Sequence, residues 1–363
     1  MTSSVRLPDR YAHVSQLCEL LGLRIPVLLA PMAGVRAPAL STAVMEAGGA
    51  GACGVLLMQP DEIVEWCRTV RDSTDAPFQL NTWIPDPASS RDPQHEETLR
   101  AFLSQWGPPV EHTAADPALP DLASQCDAML DARPAMISSI MGLYPAAFIS
   151  RMKSAGIKWL ATVSTVREAR AAEAAGADII VAQGAEAGGH RGAFDASRAL
   201  AEQVGLFSLL PAVVDAVSVP VIATGGIADE RGVAAAIMLG ASAVQIGSAF
   251  LRCPESGISA VWRSALESVN PEDTIVTTAF TGRPGRAIGN DFVRAAMSNG
   301  APAPAPYPIQ RALTAAMRAR AVSDGNPGRM QMWAGQSAAL GTSETATRVA
   351  GAIWSGAAAL LNG

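Results

Sequence analysis

The feature that most constrains the fold is a regular alternation of apolar runs and helical segments between Gly156 and Leu251. The run GIKWLATV is followed by the helical segment STVREARAAEAAG, where Ser164 or Thr165 is expected as the N-cap and Gly176 as the C-cap. The apolar runs ADIIVAQG and VPVIATGG come next, then a helical segment over 228–240 and the run ASAVQIGSAFL. Strands that alternate with helices form the βα units of a parallel sheet. The runs are continuously apolar, which is typical of parallel strands buried on both faces.

Four earlier apolar runs complete a set of eight strands, at 26–32, 51–56, 78–81 and 135–141. Eight βα units in a chain of 363 residues predict an α/β fold of the closed (β/α)8 (TIM) barrel type, in preference to an open doubly wound sheet. We expect the barrel to span 1–250 and a smaller appended lobe after the eighth strand to span 251–334. The Ala-rich tail 343–361 is expected to be a helix that packs back on the barrel.

Two further segments lie outside the regular alternation. Residues 84–133 are rich in Pro, Asp and Ser, and we interpret them as a long irregular insertion with one helix near 95–105. Within 251–334, the run TIVTTAF is β-like and a helix is expected near 309–321. The predicted lobe lies beside the mouth of the barrel.

The composition favours a globular protein over a nucleic-acid-binding or membrane protein. Apolar residues make up 49% of the chain and charged residues 17%, which is enough for a large core. A net charge of −6 disfavours nucleic acid or an anionic membrane surface as a partner. The segment 1–10 is polar, no long uncharged apolar run is present, and the five cysteines form no CxxC pair. We therefore expect a soluble cytoplasmic protein with reduced thiols.

Two glycine-containing loops follow the last two predicted barrel strands. Thr224-Gly225-Gly226-Ile227 follows the seventh and Gln245-Ile246-Gly247-Ser248 follows the eighth. In (β/α)8 barrels these two loops commonly hold a phosphate, because glycine lets backbone N–H groups approach it closely. The alternative is that they are only tight turns. A formal GxGxxG at Gly49, Gly51 and Gly54 runs from a helix end into a strand, opposite to the dinucleotide-binding order, and is rejected as such a site.

The loop AQGAEAGGHRG at 182–192 carries the candidate catalytic residue, His190. A histidine at a barrel mouth suits proton transfer near neutral pH. We expect the glycines before it to place the imidazole on flexible backbone. The alternative is a loop histidine bonded to Glu186 without chemistry. The other histidines, His13, His95 and His112, lie in the N-terminal segment or the insertion, where surface or packing roles are expected.

Other mechanisms common on this fold lack their residues. A Schiff base needs a lysine at the carboxyl end of a strand, and the only two lysines are Lys153, in a predicted helix, and Lys158, at the start of its strand. No metal site is expected, because only Glu186 and His190 fall at ligand spacing near a strand end. A serine hydrolase would need a GxSxG turn, which is absent from the sequence.

Seven segments of the chain are distinctive when taken together: APMAG (30–34), FQLNTWIPDP (78–87), AQGAEAGGHRG, ATGGI, QIGS, YPIQ (307–310) and WAGQ (333–336). In this combination they resemble the nitronate monooxygenase family, formerly called 2-nitropropane dioxygenase. They occur in the family's order from about residue 24 to 340, and the histidine loop is the most specific of them.

The resemblance implies an FMN-dependent oxidoreductase that converts alkyl nitronates, and by extension nitroalkanes, with O2 into a carbonyl compound and nitrite. His190 would be the base or the residue facing the substrate. The residues implied to contact FMN are Pro31, Met32, Ala33, Asn81, Gln183, Gly188, Gly225, Gly226, Gln245, Gly247 and Ser248. Trp83, Tyr307 and Trp333 are further candidates for the pocket wall, and a homodimer is the candidate assembly.

Two departures and two alternatives stay open at this point. Val35 replaces a glycine that many family members carry, and the 84–133 insertion is long, so both affect the expected pocket entrance. The first alternative is an NAD(P)H-dependent flavin reductase acting on quinones or enoyl thioesters, because such enzymes share the histidine and glycine motifs. The second is a flavin- or phosphate-binding protein without catalysis.

Overall fold

The structure is a computed structural model that describes residues 7–32, 34–88, 90–115 and 119–363. The strands in these ranges are β1 Val27–Leu29, β2 Gly51–Gly54, β3 Phe78–Trp83, β4 Met136–Ile140, β5 Lys158–Val163, β6 Ile179–Gln183, β7 Gly189–His190, β8 Val221–Thr224, β9 Ala243–Ile246, β10 Thr274–Thr277 and β11 Gly285–Ile288. The α-helices are α1 Ala12–Leu21, α2 Pro38–Ala47, α3 Pro60–Arg71, α4 Pro93–Leu103, α5 Leu122–Asp131, α6 Ala146–Ser154, α7 Val166–Ala174, α8 Leu206–Val214, α9 Glu230–Met238, α10 Ala260–Ser268, α11 Asp291–Ala296, α12 Ile309–Leu313, α13 Ala315–Ser323 and α14 Ala346–Asn362.

Eight parallel strands form the barrel in the order β1-β9-β8-β6-β5-β4-β3-β2. A parallel bridge between Leu28 and Ala50 joins β1 to the segment before β2 and so brings the ends of the sheet together. The predicted (β/α)8 barrel is therefore confirmed. Seven of these strands lie inside the predicted apolar runs, and β3 extends past its run to Trp83. Burial on both faces explains the agreement, because such strands are apolar throughout.

The helices between the strands begin and end where local side chains satisfy the backbone. Helix α7 begins with a capping box in which Thr165 accepts from the Glu168 backbone and Glu168 reaches back to the N-cap. Its C-cap is Ala175, and Gly176, the predicted cap, follows with a φ of +99°. The rejected GxGxxG segment also behaves as expected, since Gly48 ends α2 and Gly51–Gly54 form β2.

Helix α14 packs against α2 and α9, the helices that follow β1 and β8. It occupies the place of the eighth barrel helix, although about a hundred residues separate it from β9 along the chain. Its buried side chains include Val349, Ile353 and Leu361, which join the main core.

The insertion 84–133 is more regular than predicted. Helix α4 lies close to the expected position, but α5, which packs against α3 and α6, was not predicted. Asp121 caps α5 by accepting from the Ser124 backbone at 2.8 Å. Because α5 lies between β3 and β4 among the outer helices, it is the barrel helix of that unit.

A second apolar cluster joins the insertion to the chain beyond the eighth barrel strand. Leu99 and Leu103 of α4 pack with Phe280, Phe292 and Leu313. Beside this cluster, β10, β11 and β7 form a three-stranded antiparallel sheet. The division of the chain into 1–250 and 251–334 stays a prediction.

Candidate active site

A cavity with an empty volume of about 1080 Å³, part of it open to solvent, lies at the carboxyl ends of the barrel strands. The residues from the sequence prediction that line it are Pro31, Met32, Asn81, Gln183, Gly188, His190, Gly225, Gly226, Gln245, Gly247 and Ser248. Ala33 lies outside the described residues. Trp83 and Trp333 also line the cavity, whereas Tyr307 packs behind Trp83 at a ring distance of 5.3 Å.

One end of the cavity carries backbone N–H groups that are free to bind an anion. The N–H groups of Gly225, Gly226, Gly247 and Ser248 donate to no acceptor within the described part of the chain. Gly225 and Gly226 have φ of +105° and +71°, conformations that side chains with a Cβ disfavour. A Cβ on Gly247 would lie 3.3 Å from the Ala30 Cβ and would narrow the cavity. These four residues therefore fit a phosphate group such as that of FMN.

The amide side chains at the barrel mouth have one end fixed by the protein. Gln245 Oε1 accepts from Gln79 Nε2 at 2.9 Å, and Asn81 Nδ2 donates to Ser138 Oγ at 3.0 Å. The Nε2 group of Gln245 and the Oδ1 atom of Asn81 have no partner among the described residues. Polar atoms held in this way suit hydrogen bonding to the heteroatoms of a flavin ring.

His190 lies in the cavity wall on a strand, and the expectation of flexible backbone was wrong. His190 pairs with Gly285, and this pairing joins β7 to β11 in the antiparallel sheet. Its Nε2 atom is 2.8 Å from Thr281 Oγ1, and its ring contacts Trp83 and Trp333 at centroid distances of 4.5 and 4.8 Å. The two tryptophans and the strand pairing hold the imidazole in one place.

Burial lowers the pKa of His190 to about 3, and the positive charges of Arg283 and Arg311 act in the same direction. Arg283 is itself buried and forms an ion pair with Asp86. The imidazole is consequently neutral at physiological pH. It is also the only ionisable side chain among the described residues that line the cavity.

The polar residues of the histidine loop support its shape. Gln183 Nε2 donates to the His190 carbonyl at 3.1 Å, and Gln183 Oε1 accepts from the Gly192 N–H at 2.7 Å. The alternative in which Glu186 bonds to His190 is wrong, because the Glu186 carboxylate accepts the Leu206 N–H at 2.9 Å and so caps α8. Gln183 therefore fixes the loop with its side chain, in addition to lining the cavity.

Three residues of the site were missed in the sequence. Thr281 bonds to His190, Gly335 lines the cavity, and Ser337 donates to the Gly226 carbonyl at 2.7 Å. A Cβ on Gly188 would lie 2.5 Å from the Gly335 N atom, so the two backbones pack directly together. Only the WAGQ resemblance pointed to the segment containing Gly335, and no local pattern pointed to Thr281.

The depressed pKa of His190 makes the stability of the fold sensitive to acid. The unfolded chain takes up a proton below about pH 6.5, whereas folded His190 does so only near pH 3, so stability is lost as pH falls from about 6.5. We expect this one group to remove about 2 kcal/mol of unfolding free energy between about pH 7 and about pH 5. Urea unfolding at the two pH values measures this loss, and His190→Asn should make the difference in unfolding free energy smaller by that amount. An unchanged pH dependence would contradict it.

His13→Asn is the comparison for this measurement. The pKa of His13 is lowered by burial as well, but His13 lies on α1, away from the cavity. Its substitution is expected to leave the His190 contribution intact.

In the described parts of the chain, no set of three His, Cys, Asp or Glu side chains is grouped as a metal site. No helix in the described ranges has the length and apolar character needed to cross a membrane.

The family model and the curated relatives identify the family of this chain, and two solved structures are similar to it. The family model described as Nitronate monooxygenase matches residues 14–349. A nitronate monooxygenase of Paraburkholderia phytofirmans is 40% identical over 338 residues, which cover 90% of each chain. The solved structure of a nitroalkane oxidase from Streptomyces ansochromogenes has a TM-score of 0.86 and 34% identity, over 94% of this chain and 98% of that one. The structure of FabK from Thermotoga maritima has a TM-score of 0.74 and 29% identity, over 95% and 96%.

Proposed function

Because the chain belongs to the nitronate monooxygenase family, we propose that it catalyses the FMN-dependent oxidation of alkyl nitronates by O2 to a carbonyl compound and nitrite. The observation that carries this proposal is the position of His190, the single ionisable side chain among the described cavity residues. It shares the cavity with the N–H groups of Gly225, Gly226, Gly247 and Ser248. One cavity thus offers a phosphate site and a substrate site next to each other.

The FMN requirement is supported by the donors and the space at the barrel mouth. The free N–H groups suit the phosphate, the glycine positions keep the backbone accessible, and Gln245 and Asn81 present polar atoms further along the cavity. FMN, when bound, supplies the electron-transfer chemistry with the nitronate and with O2. The backbone at Pro31 and Met32 provides a wall of the same space.

The environment of His190 favours substrates that arrive as anions. Burial is the main cause of the low pKa of His190, and the positive charges of Arg283 and Arg311, which lower it further, also favour an anion such as a nitronate beside it. Trp83 and Trp333 exclude water from the imidazole, which strengthens these interactions. A base of low pKa removes a proton from a neutral nitroalkane inefficiently, because general-base catalysis is best when the pKa lies near the working pH. Nitronates are therefore the main substrates in this proposal and nitroalkanes the slower ones.

An anaerobic titration of the purified flavoprotein tests the proposed function. Propionate 3-nitronate is expected to bleach the oxidised flavin absorbance, whereas NADH is expected to leave it unchanged over the same time. Reduction by NADH alone would place the protein with flavin reductases and overturn the proposal. A colourless protein that does not take up added FMN would contradict the cofactor assignment.

A further inference from the structure

The hydroxyl of Thr281 is the one side-chain group that contacts a ring nitrogen of His190 among the described residues. Its Oγ1 atom lies 2.8 Å from His190 Nε2, 3.2 Å from the Arg283 carbonyl oxygen and 3.3 Å from the Arg283 backbone N. Thr281 and Arg283 are both buried, so water does not replace these partners. The three contacts can be assigned by counting donors and acceptors.

A threonine hydroxyl has one proton to donate. If that proton goes to the Arg283 carbonyl, the oxygen is free to accept from the Arg283 N–H and from a proton on His190 Nε2, and every group is satisfied. If the proton goes to His190 Nε2, the Arg283 carbonyl loses its only donor among the described residues. A buried carbonyl without a donor is disfavoured by about 1–3 kcal/mol. The first arrangement therefore prevails.

We infer that Thr281 is a positioning residue that holds His190 with its proton on Nε2, so that Nδ1 is the basic nitrogen that faces the substrate. Nδ1 bonds to no described residue, and it is absent from the fully buried polar atoms that lack a partner. His190 also lines the cavity. Nδ1 is therefore the nitrogen that contacts the cavity.

The position of the proton decides what His190 can do in catalysis. This consequence rests on the proposed function. With the proton on Nε2, Nδ1 can accept the α-proton of a neutral nitroalkane. With the proton on Nδ1, the ring would only donate a hydrogen bond to a nitronate oxygen and could not act as a base. Thr281 thus controls which class of substrate is converted, although it does not contact the substrate itself.

The test is a nitrogen–proton NMR spectrum of protein labelled with 15N in its histidines, recorded without turnover. The chain has four histidines, and the His190→Asn protein identifies the signals of His190 by their loss. The native protein is expected to show the correlation pattern of a ring protonated at Nε2 and bare at Nδ1. The pattern of a ring protonated at Nδ1 would overturn the inference. This readout does not depend on the proposed reaction. If the ring is protonated at Nε2 but the protein converts neither nitronates nor nitroalkanes, only the proposed function is refuted.

Two variants then connect the tautomer to activity. Thr281→Val removes the hydroxyl with little change of shape, and Thr281→Ser keeps it. We expect Thr281→Val to lose the single Nε2–H pattern and to lower kcat/KM for a neutral nitroalkane about tenfold, with nitronate turnover little changed. Thr281→Ser should restore both. Equal losses in the two variants, or a Thr281→Val protein that keeps the native pattern and activity, would overturn the role of the hydroxyl.

Discussion

His190→Asn is expected to lower kcat/KM for neutral nitroalkanes by about 10- to 100-fold, at the low end of or below the usual contribution of a general base, because the low pKa of His190 makes it a weak base. Among the described cavity residues no other side chain is ionisable, so none can replace His190 as the base. Asparagine keeps a polar group at this place but does not take up a proton. A nitronate has already lost its α-proton, so its turnover should change by only a few-fold. Steady-state oxygen consumption on matched nitroalkane and nitronate pairs measures both effects.

The pH profile provides a second check on the same role. Because the pKa of His190 is about 3, its neutral form is present throughout the range from about pH 5 to pH 8, and loss of the base by protonation is not expected there. kcat/KM for a neutral nitroalkane, the substrate that needs the base, should therefore show no acid limb from this residue between about pH 5 and pH 8. The His13→Asn protein serves as the control, because the native His13 side chain also has a lowered pKa but is remote from the cavity. Equal losses on nitroalkane and nitronate in His190→Asn would refute the general-base role.

The barrel and most of the candidate site were predictable from sequence because both depend on local patterns. A parallel strand buried on two faces is an apolar run, and the residue after it lies at the barrel mouth whatever the rest of the chain does. That reasoning predicts Gln183, Gly225 and Gly247 at the mouth, and all three line the cavity there. Helix α5 was missed although Asp121 supplies an N-cap, because the prolines and acidic residues before it suggested a loop.

What could not be predicted depends on contacts between distant parts of the chain. Strand β7 has two residues and no periodic pattern, and its partner β11 begins almost a hundred residues later. His190 and Thr281 are also far apart in sequence, by 91 residues, although the Thr281 hydroxyl contacts the His190 ring. Glu186 was the partner of His190 in the alternative interpretation of the sequence, but the open N-terminus of α8 takes its carboxylate instead. No local sequence pattern indicates such contacts between distant residues.

Replacing both Gly225 and Gly226 with alanine is expected to weaken FMN binding by about 30- to 1,000-fold. Each position has a positive φ, which costs an alanine roughly 1–2 kcal/mol, and a Cβ on Gly225 would lie only 3.0 Å from the Ala187 N atom. A variant that escapes this strain by adopting a negative φ would turn these N–H groups away from the phosphate site, so we expect the cost to appear in FMN affinity. Fluorescence titration with FMN measures the Kd.

The matched control is the double variant Gly54→Ala/Gly351→Ala. Gly54 ends barrel strand β2 and Gly351 lies within α14, and an added Cβ meets no atom within 4 Å at either position. This protein should bind FMN as the native one does and unfold at a similar or higher temperature, since alanine is favoured over glycine in a helix by about 1 kcal/mol. Native FMN affinity in Gly225→Ala/Gly226→Ala would show that the phosphate is held elsewhere. A fall in FMN affinity in Gly225→Ala/Gly226→Ala, with native affinity in the control variant, would instead support these two N–H groups as phosphate ligands.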